Sequence, residues 1–371
     1  MSAKRILIAV GGTGGHIFPA LGFAQELRNE IDPPSVLFAG GGLAANPFFD
    51  RSLFPYKQIS AAPLSGKNLI KCLKNVMALS QGVWQSIWLL KEFRPDVVVG
   101  FGSFYTMPLL TAARLLKVPI ILHEANSIPG KANKFFAPSA WRIGIHFPST
   151  ASLLKGKTVE VGMPMRSGYK LNQISKEEAL GYFELESQKT VLLVFGGSQG
   201  AKGINAIMKL AAIKWQNGAF QIIHFTGNQE SAEEFKELYA THHIKACVKP
   251  FENQMHLAWR ASDLFIGRAG ASTIAEAMEF EVPGILIPYP YATDGHQDKN
   301  ADFLVDIVGG GIKLAENEFN ETLPNQWASL LASPEKLNQF KNGMRKYKKR
   351  PDRKNLSQLV LNFCNKGVEH V

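Results

Sequence analysis

Short apolar runs recur along this chain, each ending at glycine or a polar turn and each followed by helical spacing. They occupy residues 6–10, 36–39, 97–99, 120–122, 191–195, 222–225, 264–266 and 285–287. Within each run the apolar residues are continuous rather than alternating, so both faces of the strand must be covered. Strand followed by helix, repeated, predicts parallel sheets under helices: a doubly wound α/β architecture. Eight or more such units need two sheets, and the expected break lies near Gly162-Met163-Pro164, before the polar stretch 172–178. A charged segment, 341–354, reads as a helix with few apolar positions. Another helix is expected between Lys67 and Phe93, where Ile70, Leu73, Met77, Trp84 and Trp88 recur at intervals of 3, 4, 7 and 4.

Length agrees with two lobes: 371 residues are too many for one ordinary domain and enough for two cores. The expected boundaries are 1–165 for the first lobe, 166–340 for the second, and a closing segment, 341–371, that returns to the first. With 46% hydrophobic and 19% charged residues, bulk disorder is excluded. Cys72, Cys247 and Cys364 are far apart and form neither a disulfide framework nor a zinc motif, which suits a reducing cytoplasm. The start of the chain runs straight into a strand and does not read as a signal peptide. No uncharged apolar run approaches the roughly 18 residues of a membrane span.

Charge changes the picture once it is located. Residues 1–165 hold 17 Lys and Arg against 8 Asp and Glu, 166–340 hold 15 against 21, and 341–371 hold 9 against 2. Nucleic acid is a poor fit, because the aromatic-flanked basic motifs of RNA modules are missing and half the chain is acidic. Two lobes of opposite sign suit a protein that turns one face to an anionic surface. Lys67, Lys71 and Lys74 gather at the start of the expected helix, where cations oppose its dipole. An anionic leaflet favours them there by about 1 kcal/mol each, with tryptophans at the interface. The competing reading packs the apolar stripe on the sheet, but it leaves the lysines unexplained.

Two glycine-rich turns carry the candidate chemistry. Gly11-Gly12-Thr13-Gly14-Gly15-His16 lies between the first strand and a helix that Pro19 is expected to help start. Gly196-Gly197-Ser198-Gln199-Gly200-Ala201 follows the strand at 191–195. Glycine lets the backbone approach a ligand closely, and N–H groups at a helix start attract an anion. A dinucleotide fingerprint would need Gly at position 17, which is Ile17, and GxxxxGK[ST] is absent. A third segment, Arg268-Ala269-Gly270-Ala271-Ser272-Thr273-Ile274-Ala275-Glu276, leads small residues into a helix. Its carboxylate can accept two hydrogen bonds from a ribose diol, although an acid in a helix's first turn is also an ordinary dipole partner. His296-Gln297-Asp298-Lys299-Asn300 follows a strand end, with amides suited to sugar hydroxyls.

Taken in order, these segments resemble the MurG family. The resemblance rests on residues 11–20 (GGTGGHIFPA), 123–134 (HEANSIPGKANK), 162–166 (GMPMR), 196–201 (GGSQGA), 268–276 and 296–301 (HQDKNA). It implies two Rossmann-like lobes facing a cleft, of GT-B type, and transfer of N-acetylglucosamine from UDP-N-acetylglucosamine to undecaprenyl-linked muramyl-pentapeptide. It also implies peripheral attachment to the cytoplasmic face of the bacterial inner membrane. Thr13, Gly14 and Gly15 then correspond to the loop meeting donor and acceptor, and Asn126 and Arg166 to donor-side positions. Ser198 would hold the UDP phosphates, and residues Ala271 to Ala275 would form the helix start under the diphosphate. Glu276 would bind the ribose and Gln297 would read the sugar hydroxyls. Two departures stand out: Ala125 where many relatives have Gln, and Glu252-Asn253 in place of an Ile-Asp pair beside the uracil. If the backbone at Glu252 makes that contact, the change is harmless.

Inverting transfer needs a base for the acceptor 4-hydroxyl and help for departing UDP. The chain has no Asp-x-Asp motif, so no metal cofactor is expected, and helix starts with Ser and Arg groups would stabilise UDP. His16, His123 and Glu124 are the candidate bases. His16 is preferred for its place on the glycine loop and its usual pKa of about 6.5. A glycolipid synthase with another acceptor, a UDP-N-acetylglucosamine epimerase and a nucleotide-sugar-binding scaffold remain alternatives at this stage.

Overall fold

The computed structural model describes residues 4–62, 69–197, 200–215, 220–318 and 323–366. Two compact units emerge: Met1–Ser167 with Pro351–Val371, and Gly168–Arg350. In the first, seven strands are β1 (Arg5–Ala9), β2 (Ser35–Gly40), β3 (Tyr56–Gln58), β4 (Val97–Gly100), β5 (Ile120–Glu124), β6 (Arg142–Ile145) and β7 (Thr158–Glu160). They lie in the order β3-β2-β1-β4-β5-β6-β7, and every pairing is parallel. Helices α1 (Gly14–Arg28), α2 (Leu69–Phe93), α3 (Met107–Leu115) and α4 (Lys131–Phe136) connect them. Alternate residues of β1 serve opposite cores, as a doubly covered sheet demands. Ile6 and Ile8 pack with Phe23, Val360 and Phe363 on one side. Leu7 and Ala9 pack with Leu89, Leu90 and Leu110 on the other.

The second unit contains α5 (Lys176–Tyr182), β8 (Thr190–Phe195), α6 (Lys202–Lys214), β9 (Phe220–Phe225), α7 (Gln229–Thr241), β10 (Ala246–Lys249), α8 (Met255–Ala261) and β11 (Leu264–Gly267). It continues through α9 (Ala271–Phe280), β12 (Gly284–Leu286), α10 (His296–Asp302), β13 (Gly311–Lys313), α11 (Leu323–Leu331) and α12 (Pro334–Lys348). Six parallel strands run in the order β10-β9-β8-β11-β12-β13. The last helix, α13 (Leu356–Lys366), belongs to the first unit. In each sheet the strand order reverses once, between β1 and β4 and between β8 and β11. Loops at the carboxyl ends of strands beside such a switch point are where open α/β sheets bind ligands.

Four sequence expectations need correction. Helix 341–354 is really α12, which starts at Pro334 and ends at Lys348; the Pro351 that follows cannot continue it. Residues 341–350 accordingly go with the second unit. The first unit then carries 21 Lys and Arg against 10 Asp and Glu, a net +11, and the second 20 against 21, a net −1. The asymmetry survives, but the second unit is near neutral rather than acidic. Pro19 lies inside α1 instead of at its start. On α2, the residues that pack on the sheet are Val83, Ile87, Leu89, Leu90 and Phe93, whereas Leu73, Met77, Trp84 and Trp88 are exposed.

Candidate active site

At the end of β1 the chain turns through Gly11 and Gly12 into α1. A Cβ at Gly11 would stand 2.5 Å from the Gly41 carbonyl oxygen and 2.6 Å from Tyr105 Cβ, and Gly12 has φ +91°. Only glycine fits this path. Thr13 caps α1 with an extended backbone and no side-chain cap bond. Its carbonyl accepts from the N–H of His16 and Ile17 at 3.0 and 3.2 Å. The N–H groups of Gly14 and Gly15 therefore stand at the helix mouth without an intrahelical acceptor, and Thr13 and Gly15 are exposed.

His16 follows, half-buried, with Nδ1 2.8 Å from the carbonyl oxygen of Phe101 at the end of β4. A carbonyl can only accept, so Nδ1 bears the proton and Nε2 the lone pair. Burial lowers the pKa of His16 below 6.5, opposed by the Glu124 charge and the Phe101 carbonyl. The imidazole is thus neutral near pH 7 and able to take a proton at Nε2. The other two base candidates sit deeper. His123 is 2% exposed, its pKa pushed down to about 3 by burial and by His16. The Glu124 carboxylate is buried and accepts three bonds, each 2.9 Å, from the Asn126 N–H, the Gly130 N–H and Asn133 Nδ2. It shapes the turn after β5. Asn126 lies on that turn, half-buried, and its carbonyl accepts from Thr150 Oγ1 at 3.0 Å.

Arg166 packs its guanidinium 4.1 Å from the Phe18 ring centroid, and the next residue donates its N–H to Gln25 Oε1 at 2.7 Å. The GMPMR segment therefore rides on α1, and Arg166 belongs with the first unit, not with 166–340 as expected.

In the second unit, the turn after β8 bends through Gly197 (φ +90°) and Gly200 (φ +70°) into α6. Ser198 lies outside the described residues. The start of α9 is cleaner. Gly270 caps it without a side-chain bond, its first turn holds no acid, and the Gly270 carbonyl accepts from the Ile274 N–H at 3.0 Å. That leaves the N–H groups of Ala271, Ser272 and Thr273 leading. Ser272 Oγ is buried with no hydrogen-bond partner among the described residues. Ile274 and Ala275 are buried and lie beneath. Glu276 stands in the second turn, not the first, and Oε2 accepts from Trp259 Nε1 at 2.7 Å. Gln297 on α10 accepts from the Tyr289 N–H at 3.0 Å, and Asn300 Nδ2 donates to the Ala269 carbonyl at 3.1 Å, tying α10 to the loop that leads into α9.

Glu252 is different. Its carboxylate accepts from Lys249 Nζ at 2.7 Å, from the Gln254 N–H at 2.9 Å and from Tyr182 at 3.3 Å. Burial pushes its carboxyl up, but Lys249 and the hydrogen bonds prevail and hold it below the ordinary value. Its side chain is thus engaged inside the unit.

Comparison with known proteins decides the family. Residues 6–145 match the glycosyltransferase family 28 N-terminal domain and 191–356 its C-terminal domain. A curated UDP-N-acetylglucosamine–N-acetylmuramyl-(pentapeptide) pyrophosphoryl-undecaprenol N-acetylglucosamine transferase from Protochlamydia amoebophila is 59% identical over 359 residues, covering 97% of this chain and 96% of that one. The chain belongs to the MurG family. A protein of the same name from Chlamydia pneumoniae is 36% identical over 86% of this chain and 87% of its own. The crystal structure of Acinetobacter baumannii MurG superposes with TM-score 0.76 at 26% identity, covering 98% and 100% of the two chains. The chain is thus a two-lobed, parallel-sheet glycosyltransferase.

Three residues that bear on this MurG-family site escaped the sequence reading. Tyr105 fills the space that Gly11 leaves open; a tyrosine in an unremarkable loop gave no signal. Trp259, fully buried, looked like core, and only its Nε1 reveals a second role. Asn300 was quoted within the HQDKNA motif but given no task. On α2, Trp84 and Trp88 meet edge to face at 6.1 Å, with Lys91 Nζ 5.8 Å from the Trp88 ring centroid. Lys67 lies outside the described residues, as do the side chains of Ile70 and Lys71. Among the described residues, no helix is long and apolar enough to cross a membrane.

Proposed function

We infer that this chain transfers N-acetylglucosamine from UDP-N-acetylglucosamine to the muramyl 4-hydroxyl of undecaprenyl-pyrophosphoryl muramyl-pentapeptide, with inversion. The observation that carries it is 59% identity across 97% of the chain to a curated enzyme of that name. Incubating the protein with radiolabelled donor and purified lipid acceptor tests it. Label must pass to the lipid; transfer to diacylglycerol instead, or UDP release without any acceptor, would favour a glycolipid synthase or an epimerase.

In this reading the first unit handles the acceptor. His16 Nε2 takes the hydroxyl proton, supported by the Nδ1 contact that fixes its tautomer. Thr13, Gly14, Gly15, Asn126 and Arg166 line the substrates. The second unit holds the donor. The N–H groups opening α9 and the hydroxyls of Ser272 and Thr273 receive the diphosphate, a task that the family resemblance also gives to Ser198, and Glu276 binds the ribose hydroxyls. Gln297 reads the sugar, while the backbone at Glu252 meets the uracil. Charge growing on departing UDP is then offset by fixed dipoles that need no reorganisation, and no resident metal is required. Turnover should persist in excess chelator; loss with chelator and recovery with magnesium would refute this part.

Attachment is peripheral, through α2, at the cytoplasmic face of the inner membrane. Exposed Trp84, Trp88, Met77 and Leu73 beside Lys74 and Lys91 support it, because apolar residues flanked by cations suit an anionic leaflet.

A further inference from the structure

The second unit contains a buried polar chain that none of the site residues above explains. His224, the last but one residue of β9, is 0% exposed. Its Nδ1 lies 2.9 Å from the Tyr239 hydroxyl on α7 and its Nε2 3.3 Å from Asn205 Oδ1 on α6. Asn205 Nδ2 in turn donates to the Thr226 carbonyl at 3.0 Å. That last bond sets every direction in the chain. Because the Asn205 amide nitrogen faces Thr226, its oxygen faces His224, so Nε2 must bear the proton. Nδ1 then accepts from the Tyr239 hydroxyl. Donors and acceptors match at each step, and burial keeps both titratable members in one form: His224 is pushed down to about 3 and Tyr239 well above its ordinary value.

The chain ends at a crowded corner. A Cβ on Gly200 would stand 2.6 Å from the Thr226 carbonyl oxygen, so the residues entering α6 press against the atom that Asn205 holds. Thr226 and Gly227 also donate their N–H groups to the carbonyls of Lys249 and Pro250, at 3.1 and 2.9 Å. One short stretch, Thr226-Gly227, thereby touches the entry to α6 on one side and the approach to Phe251 and Glu252 on the other. An apolar residue at 224 would fill the core equally well and would not fix this corner, because dispersion contacts have no direction.

We propose that His224 and Asn205 are positioning residues for nucleoside-diphosphate binding, holding the entry to α6 and the loop after β10 at a fixed spacing. This rests on the donor assignment made above. The test compares wild type with Asn205→Ala, His224→Gln and Tyr239→Phe. UDP binding is read by calorimetry at a temperature well below each variant's melting point, along with separate KM values for donor and lipid acceptor. UDP binding to the wild-type protein establishes the donor assignment independently; its absence there would sink that assignment rather than the positioning role. Asn205→Ala is expected to weaken UDP about tenfold or more and to raise donor KM, leaving acceptor KM unchanged. His224→Gln, which keeps Asn205 and can still donate to it, should bind UDP nearly as wild type does. Variants that melt earlier yet bind UDP like wild type would show that the chain serves stability alone, and overturn the proposal. Should Asn205→Ala fail to fold, Tyr239→Phe, which removes one hydroxyl, carries the same comparison.

Discussion

The Phe101 carbonyl determines which nitrogen of His16 can take a proton, and burial determines when. Because the pKa of His16 lies below 6.5, the neutral form that the proposed base role needs predominates at pH 7 and is lost only as pH falls through that lowered value. The expected profile of kcat/KM is therefore flat near neutrality, with an acid limb whose midpoint is under 6.5. His16→Gln should reduce kcat by about 10²- to 10⁴-fold and abolish that limb. A variant that keeps the limb would place the base elsewhere. Glu276 poses a second question at this scale. Its charge-assisted hydrogen bonds are worth about 1.5–3 kcal/mol, so Glu276→Ala should weaken UDP some 10- to 100-fold. Trp259→Phe keeps the carboxylate but removes the N–H that aims it. A smaller loss of UDP affinity is expected by calorimetry, and none at all would mean that the indole contact does not orient the group.

Among the elements, α2 carries one apolar stripe that packs on the sheet and a second that does not. Its sheet-facing residues, Val83, Ile87 and Leu90, are packed, while Trp84 and Trp88 are 62% and 58% exposed. Replacing both by Ala should leave the melting temperature nearly unchanged, because nothing inside the fold is lost. Binding to anionic vesicles should fall by tenfold or more, since burying one such ring is worth roughly 1.5–3 kcal/mol. Equal vesicle binding by the double variant in a sedimentation assay would remove α2 from the membrane reading. The sequence revealed this helix and its outward stripe, but not the second stripe that packs on the sheet. Two apolar stripes lie on it, and only packing distinguishes the covered one.

For the whole molecule, charge and acid sensitivity follow from how residues divide between the units. The first unit carries +11 and the second −1, so vesicle binding should weaken as salt rises, within the Debye screening range of about 10 Å at 0.1 M. Salt-independent association would contradict the electrostatic part of that attachment. Four buried or half-buried histidines, His16, His123, His146 and His224, are all held below 6.5 with burial the largest cause. In each case the unfolded chain binds the proton more readily. The stability they contribute is present above pH 6.5 and is lost as pH falls toward their lowered values, by about 1.4 kcal/mol per pH unit for each. Three of the four lie in the first unit. Acid titration followed by amide exchange should find that unit opening before the second, and the reverse order would contradict the assignment.

Eight strands, the double winding and both glycine-rich turns were legible along the chain because burial on two faces leaves an unbroken apolar run and a tight turn with positive φ needs glycine. The five strands that were not read, β3, β6, β7, β10 and β13, are three or four residues long and mix polar with apolar positions, so neither length nor period marks them. The glycines, Glu276 and Gln297 announced themselves by motif. What surrounds them did not: the Phe101 carbonyl on His16, the Trp259 indole on Glu276 and the three donors on Glu252 come from residues 17 to 85 positions away in some cases and two or three in others. One-dimensional pattern records what each residue can do. Only the folded sheet, by bringing distant strand ends to one edge, decides which proton is held, which carboxylate is occupied and which is left for a ligand.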